Sequence, residues 1–186
     1  MQKIATALPD VWELRPDIFR DARGFFLESY NQAKFAGAGV TDQFVQDNHS
    51  CSSKGTLRGL HYQLHHAQSK LCRVVEGEAL DVAVDIRVGS PTFGRWAGVV
   101  LSAEAHNQVY IPCGFAHGFL ALTERVQFLY KCSDFYDAVD EHAILWNDPE
   151  IGISWNIAAP LVSDKDRKAP TLAAIGRELL PVFGRR

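Results

Sequence analysis

The amino-acid sequence predicts an all-β domain, a sandwich or barrel with a few short peripheral helices, on three observations. Residues 79–87, ALDVAVDIR, alternate without a break: Leu80, Val82, Val84 and Ile86 face one way, and Ala79, Asp81, Ala83, Asp85 and Arg87 the other. Short strand-like runs recur at 56–63, 70–76, 95–101, 107–111, 117–122, 126–132 and 142–146. Glycine and proline signals separate many of them, as EGE at 76–78, VGSPTFG at 88–94 and IPCGF at 111–115. Many short strands with close turns satisfy their backbone groups best in a sandwich or barrel.

Helix is scarce. Residues 30–37 predict one short helix after Tyr30. A second is expected from Pro170 to about Leu180, because proline suits the first helical turn. Both lie outside the barrel. The 186 residues fit one domain, 1–186, with a sizeable core and no internal repeat or linker.

A net charge of -3 gives no general pull towards nucleic acid or an anionic membrane. The opening MQKIATALPDVWELRPD lacks a signal-peptide layout, and no run approaches the ~20 apolar residues of a membrane span. A cytoplasmic protein is expected. Cys51, Cys72, Cys113 and Cys132 lack zinc-type spacing and are read as small buried hydrophobes rather than disulfides.

Two segments carry candidate chemistry. Gly55-Thr56-Leu57-Arg58-Gly59-Leu60-His61-Tyr62-Gln63 places a histidine six residues after a glycine, and Pro112-Cys113-Gly114-Phe115-Ala116-His117 reads Pro-x-Gly-x-x-His. Together they resemble the two cupin motifs, which implies a cupin-type jelly-roll barrel or β-sandwich. Metal-binding cupins continue the first motif as His-x-His with a later Glu. Here Gln63 replaces the second His, and Lys70 follows where no Glu does. Two of four ligands are too few for a firm zinc or iron site, so a pocket without metal or other cofactor is expected.

Such a pocket keeps groups suited to moving protons. Histidine titrates near neutral pH. Lys70 starts a neighbouring strand, and Tyr130 lies in VQFLYKC, where alternation puts Val126, Phe128, Tyr130 and Cys132 on one face. A histidine base, a lysine beside a developing oxyanion and a tyrosine acid form a set for proton abstraction α to a carbonyl. Each has a plainer reading: a hydrogen-bonded strand histidine, an edge lysine, a packed core tyrosine.

The string LRGLHYQ at 57–63 with Gln68-Ser69-Lys70-Leu71 resembles the dTDP-4-dehydrorhamnose 3,5-epimerase family. So do DARGFFLE at 21–28, QDNHS at 46–50, VDIRVGSPTFGRW at 84–96, IPCGFAHGF at 111–119, LYKCSDFY at 129–136, WNDPEIGISW at 146–155 and SDKD at 163–166. The resemblance implies epimerisation at C3 and C5 of a dTDP-linked 4-keto-6-deoxyhexose. It implies His61 as base, Asp166 as its carboxylate partner, Lys70 at the enolate oxygen and Tyr130 as the acid on the opposite face. It also implies substrate contacts from Arg23, Phe26, Glu28, Gln46, Asp47, Asn48, Arg58, His117, Tyr136, Glu141 and Lys165. Phe26 and Tyr136 suit packing on thymine or the sugar, and arginine suits pyrophosphate. A homodimer that exchanges N-terminal segments is expected, with Arg23, Phe26 and Glu28 coming from the partner.

Some alternatives stay open. Asp166 also reads as a cap of the C-terminal helical region, and Asp85 is the second candidate to orient His61. Strict alternation sets Arg58 on the face opposite His61, unless Gly59 permits a bulge. The rival functions are a single-site C3 or C5 epimerase, a 3,4-ketoisomerase, a metal-dependent oxygenase and a non-catalytic sugar-binding module.

Overall fold

The computed structural model describes residues 1–184. In chain order the strands are β1 (Gln2–Ala5), β2 (Trp12–Arg15), β3 (Ile18–Asp21), β4 (Gly24–Leu27), β5 (Gln46–Ser53), β6 (Thr56–Gln63) and β7 (Lys70–Glu76). They continue with β8 (Glu78–Asp85), β9 (Trp96–Ser102), β10 (Gln108–Ile111), β11 (Phe115–Ala121), β12 (Arg125–Cys132), β13 (Glu141–Ala143) and β14 (Leu161–Val162). One sheet runs β1-β2-β10-β7-β12-β5; the other runs β13-β6-β11-β8-β9, with β14 parallel to β6. β3 and β4 form a separate hairpin. The all-β, cupin-type jelly-roll expectation holds.

The two sheets meet over an apolar core. Cys72, Val74, Val109, Ile111, Val126 and Phe128 of the first sheet pack against Ala79, Ala83, Val99, Leu101, Phe115 and Phe119 of the second. Phe119 stacks on Phe128 with ring centroids 4.0 Å apart, which ties the sheets at their centre. Each fully buried side chain of this size contributes about 1.5–3 kcal/mol.

The alternation of 79–87 is real, but both faces of β8 are covered. Leu80, Val82, Val84 and Ile86 do not face the other sheet. They pack outward with Ile144, Trp155, Leu172 and Leu180 of the C-terminal third. The face carrying Ala79, Asp81, Ala83 and Asp85 points between the sheets, which buries Asp81 and Asp85 to 2% and 0% exposure.

The helix expected at 30–37 forms as α1 (Gln32–Gly37), capped by the Asn31 side chain accepting from Lys34 N. The helix expected from Pro170 to Leu180 does not form. That stretch makes two short 3-10 turns, Leu172–Ala174 and Arg177–Leu179, without side-chain caps. Packing overrides propensity here: Leu172 and Leu180 enter the outer core, and Leu172 N donates to buried Asp148 Oδ2 at 2.7 Å. A helix the sequence did not announce, α2 (Asp164–Arg167), is capped by Ser163 Oγ accepting from Asp166 N. Cys72 and Cys132 are buried as expected, whereas Cys51 and Cys113 are exposed, and all four are free thiols.

Candidate active site

β6 carries the centre of the site because of one local irregularity. Leu57, Leu60 and Tyr62 pack into the outer core, while Arg58 and His61 both line an inner cavity. Arg58 and His61 are three apart, so Gly59 is the extra residue, and the pairing with β11 shifts register between His117 and Phe119. Gly59 has φ 106°, and a Cβ there would stand 2.6 Å from the His117 carbonyl oxygen. Only glycine fits, and it brings the arginine and the histidine to the same side.

His61 Nε2 lies 2.6 Å from Asp166 Oδ1. Asp166 is buried at the start of α2, and Gly59 N–H donates to its other oxygen at 3.3 Å. Burial pushes this carboxyl up, but the hydrogen bond and charge of His61, with further hydrogen bonds from Gly59 and Ser163, bring it below the ordinary carboxylate range. An ionised Asp166 only accepts, so His61 carries its proton on Nε2 and keeps a lone pair on Nδ1.

Nδ1 faces Glu141 Oε1 at 3.9 Å. Glu141 sits on β13 beside Gln63 of β6. Its other oxygen accepts from Lys165 Nζ and from the Tyr136 hydroxyl, the latter at 3.0 Å. Burial raises the Glu141 carboxyl, and these donors bring it below its usual value. An imidazolium formed at position 61 would therefore stand between two carboxylates.

Lys70, Tyr130 and His117 complete the inner wall of a 490 Å³ cavity, a size ordinary for small-molecule sites. Lys70 is buried and forms no salt bridge among the described residues. Burial pushes the Tyr130 phenol up to about 12, with smaller contributions from Cys132 and Cys72. Tyr130 is therefore a proton-bearing group at neutral pH. His117 Nε2 lies 2.9 Å from Asp81 Oδ2, deeper between the sheets.

The cavity thus brings together His61, Lys70, Tyr130, Asp166, Arg58, His117, Tyr136, Glu141 and Lys165. Gln46 reaches its rim, where its side-chain oxygen accepts from Tyr136 N at 2.9 Å. The other expected residues lie elsewhere in this chain. Asp47 and Asn48 line a second cavity, shared through Tyr130, where Asp47 pairs with Lys131 at 2.8 Å. Arg23 pairs with Asp21 on the β3–β4 turn, Phe26 is 66% exposed on that hairpin, and Glu28 binds Lys34. The hairpin packs against the β9–β10 turn through Phe25 and His106, away from the cavity.

Asp85 does not orient His61. Its oxygens accept from Arg87, Ser90 and Thr92 at 2.6–3.0 Å in a structural turn. The chemistry of the donors does not fit a resident cupin metal: Gln63 Nε2 is spent on the carbonyls of His66 and Phe135, and His61 Nε2 already holds Asp166. One cavity group and one group behind the cavity escaped the sequence. Ser50 lines the pocket with a buried hydroxyl that has no partner among the described residues. Asp81, the partner of His117, was legible only as one member of an alternating face.

The chain is similar to several known proteins. A family model for dTDP-4-dehydrorhamnose 3,5-epimerase matches residues 5–174. The dTDP-4-dehydrorhamnose 3,5-epimerase of Pseudomonas aeruginosa is 54% identical over 175 residues, covering 93% of this chain and 97% of that protein. The enzyme of the same description from Neisseria gonorrhoeae is 52% identical over 97% of this chain, which spans only 55% of that longer relative. Among solved structures, a dTDP-6-deoxy-D-glucose-3,5-epimerase from Legionella pneumophila Philadelphia 1, in complex with dTDP-4-keto-L-rhamnose, superimposes with a TM-score of 0.96. It is 47% identical, and 99% of each chain is covered.

Proposed function

The chain belongs to the dTDP-4-dehydrorhamnose 3,5-epimerase family, and from that premise we propose that its cavity inverts C3 and C5 of dTDP-4-dehydro-6-deoxy-D-glucose to give dTDP-4-dehydro-L-rhamnose. The observation that carries the reading is His61, held by ionised Asp166 with Nδ1 free, in one cavity with Lys70 and Tyr130.

His61 Nδ1 takes the proton from C3, and the C–H electron pair moves into the ring to form an enolate with charge on O4. The Lys70 ammonium stabilises that oxygen; C3 and C5 flank the same carbonyl, so one cation serves both inversions. The Tyr130 phenol delivers a proton to the opposite face of the planar enolate. His61 then returns its proton to solvent, the tyrosinate regains one, and the cycle repeats at C5. Arg58, His117, Tyr136, Glu141 and Lys165 position the sugar and nucleotide.

The hairpin supports the dimer reading. Phe19 and Phe26, register partners on one face of the hairpin, expose 65% and 66% of their surface, an apolar patch suited to a second copy. Exchange of this segment would bring Arg23, Phe26 and Glu28 to the partner's site. Gln46, Asp47 and Asn48 belong to the same proposed substrate contacts. No helix among the described residues is long and apolar enough to cross a membrane, and four free thiols suit a cytoplasmic enzyme.

Incubation with dTDP-4-dehydro-6-deoxyglucose in deuterated water, followed by NMR, tests the reading. Deuterium at both C3 and C5 with the L-rhamno product is expected. Label at one carbon alone would reduce the activity to a single-site epimerase, and no exchange would leave a binding module.

A further inference from the structure

Behind the proposed proton-transfer groups lies a second cluster that the epimerisation does not use. Cys72 on β7, Asp81 on β8 and His117 on β11 converge between the sheets. All three are buried, and one ligand-type atom from each lies within 4.8 Å of the others. Cys72 Sγ stands 3.8 Å from His117 Nε2, and that nitrogen 2.9 Å from Asp81 Oδ2.

A tetrahedral zinc ion holds sulfur at about 2.3 Å and nitrogen at about 2.0 Å, which sets the two donors roughly 3.5 Å apart. The observed Cys–His spacing needs only a few tenths of an ångström of adjustment. Asp81 adds an independent sign of an unmet ligand. Its Oδ1 is buried without a hydrogen-bond partner among the described residues, although the residue is only 2% exposed. A buried carboxylate oxygen with nothing to accept is costly, and a bound cation would satisfy it.

We propose that Cys72, Asp81 and His117 form a binding site for a thiophilic divalent cation such as Zn²⁺, reached through the substrate cavity, and that its occupation slows epimerisation by withdrawing His117. This site differs from the cupin ligand set, with which it shares only His117. The inhibitory half rests on the proposed role of His117 in holding substrate.

On binding, the Cys72 thiol gives its proton to solvent, and the imidazole proton moves to Nδ1 so that Nε2 offers its lone pair. The thiolate and carboxylate then balance the charge of the ion, with a fourth ligand drawn from water in the cavity.

Titration of the full chain with Co²⁺, read by absorbance, tests the site. The expected result is one equivalent bound with a thiolate-to-cobalt charge-transfer band and tetrahedral ligand-field bands. Cys72→Val, or Cys72→Ala should the first not fold, should lose the band. It should also weaken binding by at least the ~10–100-fold that an outer-shell partner alone commands. Zn²⁺ should displace Co²⁺ and slow epimerisation reversibly on chelation, while the Cys72 variant keeps its rate in Zn²⁺. Absence of the band, or a band retained in the variant, overturns the site. A band lost in the variant with turnover indifferent to Zn²⁺ overturns the inhibitory role. The cobalt spectrum does not depend on turnover, so the site is decided even if the epimerase reading fails.

Discussion

His61 and His117 are register partners on adjacent strands β6 and β11, and each ring turns its Nε2 to a different aspartate. The His61 aspartate arrives from α2, 105 positions along the chain. The His117 aspartate sits on β8, directly beside β11. The first ring is one-third exposed to the cavity and the second is nearly enclosed. That difference favours His61 over His117 as the proposed base.

His61→Asn removes the proposed base while leaving an amide able to reach Asp166. Turnover should fall by about 10²–10⁴-fold, the usual contribution of a positioned base. Thermal unfolding should change little. Steady-state kinetics beside a melting curve check it; a variant within tenfold of wild type removes His61 from the mechanism.

Asp166→Asn keeps the shape but lets the ring take the other tautomer. The predicted loss is in kcat, on the order of 10²–10⁴-fold where tautomer control is lost, with KM nearly unchanged. A variant that raises KM alone would make Asp166 a binding residue.

Tyr130→Phe should uncouple the two halves of the reaction. Deuterium should still exchange at the carbon that His61 reaches, while inverted product forms far more slowly; NMR in deuterated water separates the two. The ionisation of Tyr130 provides a second reading. Its phenolate absorbance, taken as wild type minus variant, should appear near pH 12 rather than the ordinary value of about 10.

Acid should loosen the site in a defined direction. The folded-state values of Asp166 and Glu141 lie below their ordinary ones. Their stabilisation is complete above the ordinary carboxylate range, near pH 4, and is lost as pH falls through the lower folded values. Melting temperature should therefore drop below about pH 4, and less steeply in Asp166→Asn. Equal slopes would show that the pair carries no linked stability.

Gly59→Ala places a Cβ 2.6 Å from one backbone atom and 2.7 Å from another, at φ 106°. Backbone cannot yield as a flexible side chain can, so a loss of about 3 kcal/mol or more is expected. Denaturant unfolding measures it; a loss under about 1 kcal/mol would mean that the β6–β11 register adjusts freely.

The chain's own pattern fixed the strands from β6 to β12 to within about two residues, because apolar alternation and Gly-Pro turns are local signals. It was nearly silent on β5, whose polar string QDNHSCSS has no apolar period, and on α2, only four residues long. It misread 170–180 as helix because the cost of helix there is set by the outer core, not by the segment.

His61, Lys70 and Tyr130 were readable as candidates for one pocket because residue types and spacing are written in the chain, and they do line one cavity. The bulge at Gly59 was readable only as an option, and the face of β8 that points inward and the meeting of Asp81 with His117 were not readable at all. Those depend on which of two covered sheet faces encloses the cavity, and only packing between distant segments makes that choice.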